Sequence, residues 1–340
     1  MPGRLAGIDL GGTKVQGAVV DEHGRVLATE AASTPPSGGP QSVVDQVAAV
    51  VVGAVGRLGI GVGELDGVGI GSAGTVQMAE GVVSWAGNLD GFDRAPVPLA
   101  RLVAEALGLE PERVRVDNDV NVATIAEHRA GAGQGLDDLI AVFAGTGVGG
   151  ALVLEGSLRR GVRGAAGEIG HTVVVLDGAR CPCGRLGCVE AYAGRSPMEW
   201  TVRAAVEAGR ATALPGIQRR LGRARLTTDV LAEALAAGDE LAGELVGRAA
   251  AALGAGIASA CNLLDVAGVL LGGGLADGLG DGFVRRVHAA VAPLLLGTEP
   301  PLEIRRTALG DLAGAIGAAL LVHETPSPLS RRSRHGDALP

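Results

Sequence analysis

Residues 4–32 read RLAGIDLGGTKVQGAVVDEHGRVLATEAA. Three apolar runs of strand length, RLAGIDLG, KVQGAVVDE and GRVLATEAA, are parted by Gly-Gly-Thr and Glu-His-Gly. Such runs bounded by turn residues read as strands joined by hairpins, so the chain opens on a β-meander. A unit of the same design returns at residues 139–161, LIAVFAGTGVGGALVLEGSLRRG: strand, glycine turn, strand. Around these two units the pattern alternates. It predicts a helix over 41–58, a buried strand in LDGVGIGSAG, an amphipathic helix in VPLARLVAEALG, a strand in RVRVDND and a helix in VNVATIAEHRAGAG. Later come an Ala-rich helical stretch at 228–264, a strand entering a triple glycine in VAGVLLGGGLA, a helix in GFVRRVHAAVAPLLL, a strand in LEIRRTAL and a closing helix in DLAGAIGAALLVHE. Strands alternating with helices, duplicated in outline, point to two α/β lobes with a cleft between them.

Composition narrows the class. At 47% hydrophobic residues over 340 positions, a large core is available and disorder is not the default. Aromatics are only 2%, so that core is built from Val, Leu, Ile and Ala. A net charge of −8 argues against a nucleic-acid or anionic-membrane surface. The N-terminus has no signal-peptide core, and the longest apolar stretch, LVGRAAAALGAGIASACNLL, is interrupted by Arg248 and reads as a buried helix. A cytoplasmic protein is expected, with its cysteines reduced. The basic tail at 325–340 is expected to be flexible.

Both glycine turns suit phosphate. Gly7–Lys14 puts Asp9 at a strand end, followed by Gly11, Gly12, Thr13 and Lys14. Glycines let backbone N–H groups approach phosphate oxygens, Thr13 offers a hydroxyl, Lys14 a charge, and Asp9 a carboxylate able to hold Mg²⁺ through water. Gly145, Thr146 and Gly147 repeat that chemistry. GTGVGG matches the dinucleotide spacing, but a strand follows it where a helix is required, and no Walker A loop is present. In VRVDNDVNVATIAEH, Asn118, Asp119 and Asn121 stand where a strand hands over to a helix. Asp119 there is either a general base or, like Asn118, a helix cap. WAGNLDGF places Trp85 and Phe92 around Asn88, a candidate sugar ligand.

GEIGHTVVVLDGARCPCGRLGCVE, residues 167–190, gathers His171, Cys181, Cys183 and Cys188. One imidazole and three thiols make the set that tetrahedral structural Zn²⁺ takes, and Cys181 and Cys183 are too close in sequence to pair easily as a disulfide. Cys261 reads as a core residue.

With these motifs in hand, the chain resembles the ROK family of sugar kinases and repressors, within the actin-like, hexokinase-type ATPases. IDLGGTK, DNDVN, GTGVGG, GEIGH, CPCGRLGCVEAYAG, VLLGGGLA and ALGDLAGAIGAALL follow the family's order from Ile8 to Leu321. The resemblance implies an α/β, two-lobed actin-like (ribonuclease H-like) fold with a central cleft. One lobe would span 1–118 with a returning helix at about 311–324, the other 119–310 with the zinc motif. It implies ATP-dependent phosphorylation of a hexose, glucose to glucose 6-phosphate first. An N-acetylhexosamine (N-acetylmannosamine or N-acetylglucosamine) and an amino sugar or cyclitol are the alternatives. Asp119 would be the catalytic base. Asn88, Asn118, Glu168, His171 and Glu190 would bind sugar hydroxyls. Asp9 with Gly11 to Lys14, and Gly145 to Gly147, would face the phosphates, and Gly272, Gly273 and Gly274 the adenosine. ATP, Mg²⁺ and a structural Zn²⁺ are the implied cofactors, and a homodimer or homotetramer the implied assembly. The resemblance leaves ATP or polyphosphate open as donor. Two loops depart from the family pattern: SAG at Ser72–Gly74, where a proline is common, and NLDGF in place of an NLPGW-like form. Both bear on which sugar is taken. With Asp9 already in the first phosphate turn, no DNA-binding domain of the repressor kind is expected, and the intact Asp119 argues against a non-catalytic sugar binder.

Overall fold

The computed structural model describes residues 3–297 and 301–324; the tail expected to be flexible, 325–340, lies outside them. The chain divides into two compact units. The first takes the described residues of Met1–Gly135, Leu158–Ala166 and Ala308–Pro340, the second Leu136–Ser157 and Gly167–Thr307.

The first unit opens on the meander, β1 (Arg4–Leu10), β2 (Lys14–Asp21) and β3 (Val26–Ser33), antiparallel throughout. Helix α1 (Gly39–Gly56) follows and buries Val43, Val44, Val47, Val50, Val51, Ala54 and Val55, the i, i+3, i+4 stripe of a core-facing helix. Strand β4 (Gly67–Ser72) pairs parallel to β1, and all six of its residues are buried, as expected of a strand covered on both faces. A short hairpin, β5 (Thr75–Gln77) with β6 (Val82–Ser84), precedes α2 (Leu99–Leu107), which stops at Gly108 in the left-handed region. Strand β7 (Val114–Asn118) pairs parallel to β4 and runs straight into α3 (Asp119–Ala130). The sheet order is β3-β2-β1-β4-β7.

The second unit repeats that design. Strands β8 (Leu139–Ala144) and β9 (Val148–Leu154) come first, and β10 (Ser157–Arg159) leads into the first unit's Leu158–Ala166 segment. Helices α4 (Glu190–Ala193), α5 (Arg195–Glu207), α6 (Leu214–Arg220), α7 (Thr228–Ala236) and α8 (Glu240–Leu264) precede β11 (Gly268–Gly272), α9 (Gly274–Val291) and β12 (Glu303–Arg306). The sheet order is β10-β9-β8-β11-β12, with β8, β11 and β12 parallel. Helix α8 is long and apolar enough to cross a membrane, but most of it is buried in this unit's core.

Two helices differ from the sequence reading. The stretch 228–264 is two helices, because Gly238 takes φ 76° and Asp239 then caps α8 by accepting from the Ala242 N–H at 2.9 Å. Helix α9 begins at Gly274 and not at Gly282, continuing across a kink where Gly280 is non-helical.

After β12 the chain returns to the first unit as α10 (Ala313–Leu321), in which every residue is buried. Its small residues allow backbone-to-backbone packing. A Cβ on Gly317 would lie 1.7 Å from the Val122 carbonyl oxygen of α3, and one on Gly69 of β4 would lie 1.7 Å from that of Ala318.

Candidate functional site

In the first unit the candidate residues gather at the carboxyl ends of the parallel strands. Asp9 pairs with Gly71 and Gly71 with Asp117, so β1, β4 and β7 end in register. Sites in parallel α/β sheets form at such strand ends. The turn after β1 is tight: the Gly11 N–H donates to the Lys14 carbonyl at 3.0 Å, and the Thr34 hydroxyl holds the Gly11 carbonyl at 2.6 Å. Among the described residues the Gly12 and Thr13 N–H groups have no partner. Asn88 lies against this turn, its Cβ 2.8 Å from where a Gly12 Cβ would stand, which is why position 12 carries no side chain. Of the aromatics around Asn88, Phe92 is fully buried as an anchor, whereas Trp85 is 78% exposed with φ 58°.

At the β7–α3 junction the cap is Asn118. Its Oδ1 accepts from the Val120 N–H at 2.9 Å and the Asn121 N–H at 3.4 Å, while its amide donates to the Gly74 carbonyl at 3.4 Å. Asp119 is therefore not needed as the cap, although its own Oδ1 also takes the Val120 N–H at 2.9 Å. Behind it, Asp117 accepts from Arg160 Nε at 2.7 Å, Asn121 Nδ2 at 2.9 Å and the Asn118 N–H at 2.8 Å, a buried network that fixes the strand end. Burial raises the Asp119 carboxyl above the usual carboxylate range against the pull of these N–H donors. Burial first, and then the Asp119 and Asp311 carboxylates, push the Asp9 carboxyl from 3.8 to about 6, opposed by Lys14. Asp311, in the turn before α10, escaped the sequence reading because only the fold returns it to Asp9.

Glu127 on α3 escaped it too. Its carboxylate is fully buried and accepts from the N–H groups of Ala132, Ala308 and Leu309 at 2.8–3.0 Å, tying the segment ahead of α10 to the helix that starts at Asp119.

In the second unit the Gly145–Gly147 turn mirrors the first. The Gly145 N–H bonds the Gly147 carbonyl at 2.8 Å, and among the described residues the Thr146 and Gly147 N–H groups have no partner. The Gly273 backbone, at φ 83°, sits so close to Ala144 that a Cβ there would stand 2.7 Å from its carbonyl oxygen. The Gly272–Gly274 turn and the Gly145–Gly147 turn are thereby neighbours. Glu190 joins the latter to the cysteine segment: its Oε2 accepts from the Val148 N–H at 2.8 Å, and its Oε1 lies 3.7 Å from Cys181 Sγ. Glu168 is exposed, with its carbonyl accepting from the His171 N–H at 3.0 Å.

The donor atoms of His171, Cys181, Cys183 and Cys188 all lie within 4.8 Å of one another. Cys181 Sγ is 3.8 Å from His171 Nδ1 and Cys183 Sγ 3.9 Å from Cys188 Sγ. A tetrahedron with metal–ligand bonds of about 2.0–2.3 Å has edges of roughly 3.3–3.8 Å, so this set fits a four-coordinate ion with little adjustment.

Known proteins are similar to this chain over nearly its whole length. The chain is 35% identical to a glucokinase of Streptomyces coelicolor over 96% of its own length and 99% of the relative's. It is 33% identical to a kanosamine kinase of Amycolatopsis mediterranei, over 93% and 94%. Among solved structures, a ROK family glucokinase from Streptomyces griseus in complex with glucose and AMPPNP matches with a TM-score of 0.74 at 35% identity, over 94% and 99% of the two chains. The α/β architecture is that of the actin-like ATPases, as the sequence predicts. The ROK family model matches residues 5–325, and with these relatives it places the chain in the ROK family.

Proposed function

We propose that this chain is an ATP-dependent hexose kinase, with the 6-hydroxyl of glucose as the first acceptor. The observation that carries the chemistry is Asp119: a carboxylate at a strand end that the buried Asp117 network fixes, relieved of capping by Asn118, with a turn of open N–H groups in the same unit. Asp119 takes the proton as the sugar oxygen attacks the γ-phosphorus. The new O–P bond forms, the bond to the β-phosphate oxygen breaks, and ADP leaves. A carboxyl raised by burial is a stronger base than an exposed one, which suits this task near neutral pH. The open N–H groups of both turns, with Thr13, Thr146 and Lys14, neutralise and position the phosphates, which is most of what phosphoryl transfer requires. Asp9 would hold Mg²⁺ through water, and that ion would offset charge on the β- and γ-phosphates. Gly272 to Gly274 would line the adenosine.

Asn88, Asn118, Glu168, His171 and Glu190 would bind sugar hydroxyls. Zinc would be held by His171, Cys181, Cys183 and Cys188, with Nδ1 of His171 toward the thiols and its other ring nitrogen left for the sugar. The zinc would be structural. The kanosamine kinase relative, together with the Ser72–Gly74 and Asn88–Phe92 departures, supports an amino sugar or N-acetylhexosamine as the second reading.

An ADP-release assay over glucose, N-acetylglucosamine, N-acetylmannosamine and kanosamine tests this. Glucose is expected to give the highest kcat/KM, and Asp119→Asn to lose at least about 10³-fold in kcat while still binding sugar. No turnover on any sugar would sink the kinase reading, and near-normal turnover of Asp119→Asn would remove Asp119 as base.

A further inference from the structure

Among the described residues three buried side-chain polar atoms lack a hydrogen-bond partner: Arg160 Nη2, Arg195 Nε and Thr228 Oγ1. The side chains that carry two of these atoms meet at one place in the second unit. A Cβ built on Gly274 would stand 3.8 Å from Arg195 Nη1 and 3.8 Å from Thr228 Oγ1. Thr228 is only 8% exposed, so its open hydroxyl is costly unless something completes it.

Arg195 is also fastened to the other glycine turn. Its Nη2 donates to Thr146 Oγ1 at 2.9 Å, its N–H to the Gly145 carbonyl at 3.1 Å, and the Ser196 N–H to the Thr146 carbonyl at 3.1 Å. Its guanidinium thus spans from the Gly145–Gly147 turn to the Gly272–Gly274 turn. No carboxylate pairs with it among the described residues, whereas most arginines on the surface of this unit have one. An arginine without an acid partner, half-buried beside open backbone N–H groups, is arranged for an anion. By accepting from Arg195, the Thr146 hydroxyl is also left to point its own hydrogen outward as a donor.

We infer that Arg195 is a nucleotide-binding residue that grips the phosphate chain between the two glycine turns, fixing the Thr146 hydroxyl as a second donor. This rests on the kinase reading above. It adds a cation to the second unit, where the sequence pattern supplied only glycines and a threonine.

The test is equilibrium binding, measured by calorimetry without sugar, of ADP and of adenosine to the wild type, Arg195→Gln and Arg195→Lys. Losing one charge-assisted contact is expected to weaken ADP about 10- to 100-fold in Arg195→Gln. Arg195→Lys should recover part of that loss, and adenosine affinity should stay within about two-fold of wild type. Zinc content should be unchanged. ADP affinity equal to wild type, or an equal loss for ADP and adenosine, overturns the assignment. If Arg195→Gln does not fold, Arg195→Met, which keeps the aliphatic stem, carries the same comparison. A wild-type protein that binds no ADP at all would instead sink the kinase reading itself.

Discussion

Asp9 sits in an expensive place. The folded chain keeps its carboxyl protonated up to about 6, while the unfolded chain releases that proton near 3.8. The native state therefore binds more protons between those values, and stability falls as pH rises through that window. Above it, the ionised carboxylate costs at most about 3 kcal/mol. A residue kept at that cost is explained by a cation or donor that the working protein brings to it. Asp9→Asn is expected to raise urea-denaturation stability by up to about 3 kcal/mol at pH 7.5, with the gain gone near pH 4, while turnover is lost. A difference that stays flat across this pH range would contradict the account.

At the scale of elements, α10 decides how the first unit is closed. It lies backbone to backbone against α3 and β4, so bulk cannot be added there. Gly317→Ala would push a methyl to within 1.7 Å of the Val122 carbonyl and is expected to cost about 2–3 kcal/mol or prevent folding. Gly243→Ala, in α8 with nothing within 4 Å, should instead gain up to about 1 kcal/mol. Similar denaturation midpoints for the two variants would refute the packing argument. These elements were largely legible beforehand, because an apolar run of strand length between glycines has few other readings. What escaped was local chemistry that the period of apolar residues does not encode. The β5–β6 hairpin is too short to show alternation, and α4 to α6, between Glu190 and Arg220, lack a clean apolar stripe. The break at Gly238 turned on one φ angle. In the candidate site the glycine turns and Asp119 stood out by type and order. Glu127, Asp311, Arg195 and Thr228 did not, because their partners lie far along the chain and only the fold brings them together.

At the scale of the whole molecule, the hydrophobic clusters among the described residues include one in each unit and a small one of Cys181, Cys188 and Ala191. Val173, Val175, Leu176 and Leu186 of the same segment are exposed, so residues 172–188 have little apolar burial of their own. Order there would depend on the metal. Cys183→Ser is expected to lose one zinc per chain by elemental analysis and to open 172–188 to proteolysis and hydrogen exchange. The KM for sugar should rise at least about 10-fold, with ADP affinity unchanged. Unchanged protection of that segment, or wild-type protein without zinc, would count against the assignment. The returning helix α10 has a different kind of consequence, one of timing. The first unit's sheet is written before residue 120, but the helix that covers it comes after the whole second unit. A ribosome adding about 5–20 residues per second takes roughly 10–40 s to travel from the end of α3 to α10. During that interval the backbone groove over Gly69 and Val122 stands open in the nascent chain, while the second unit, encoded in between, is being synthesised. The first part to be synthesised is thus the last to be finished.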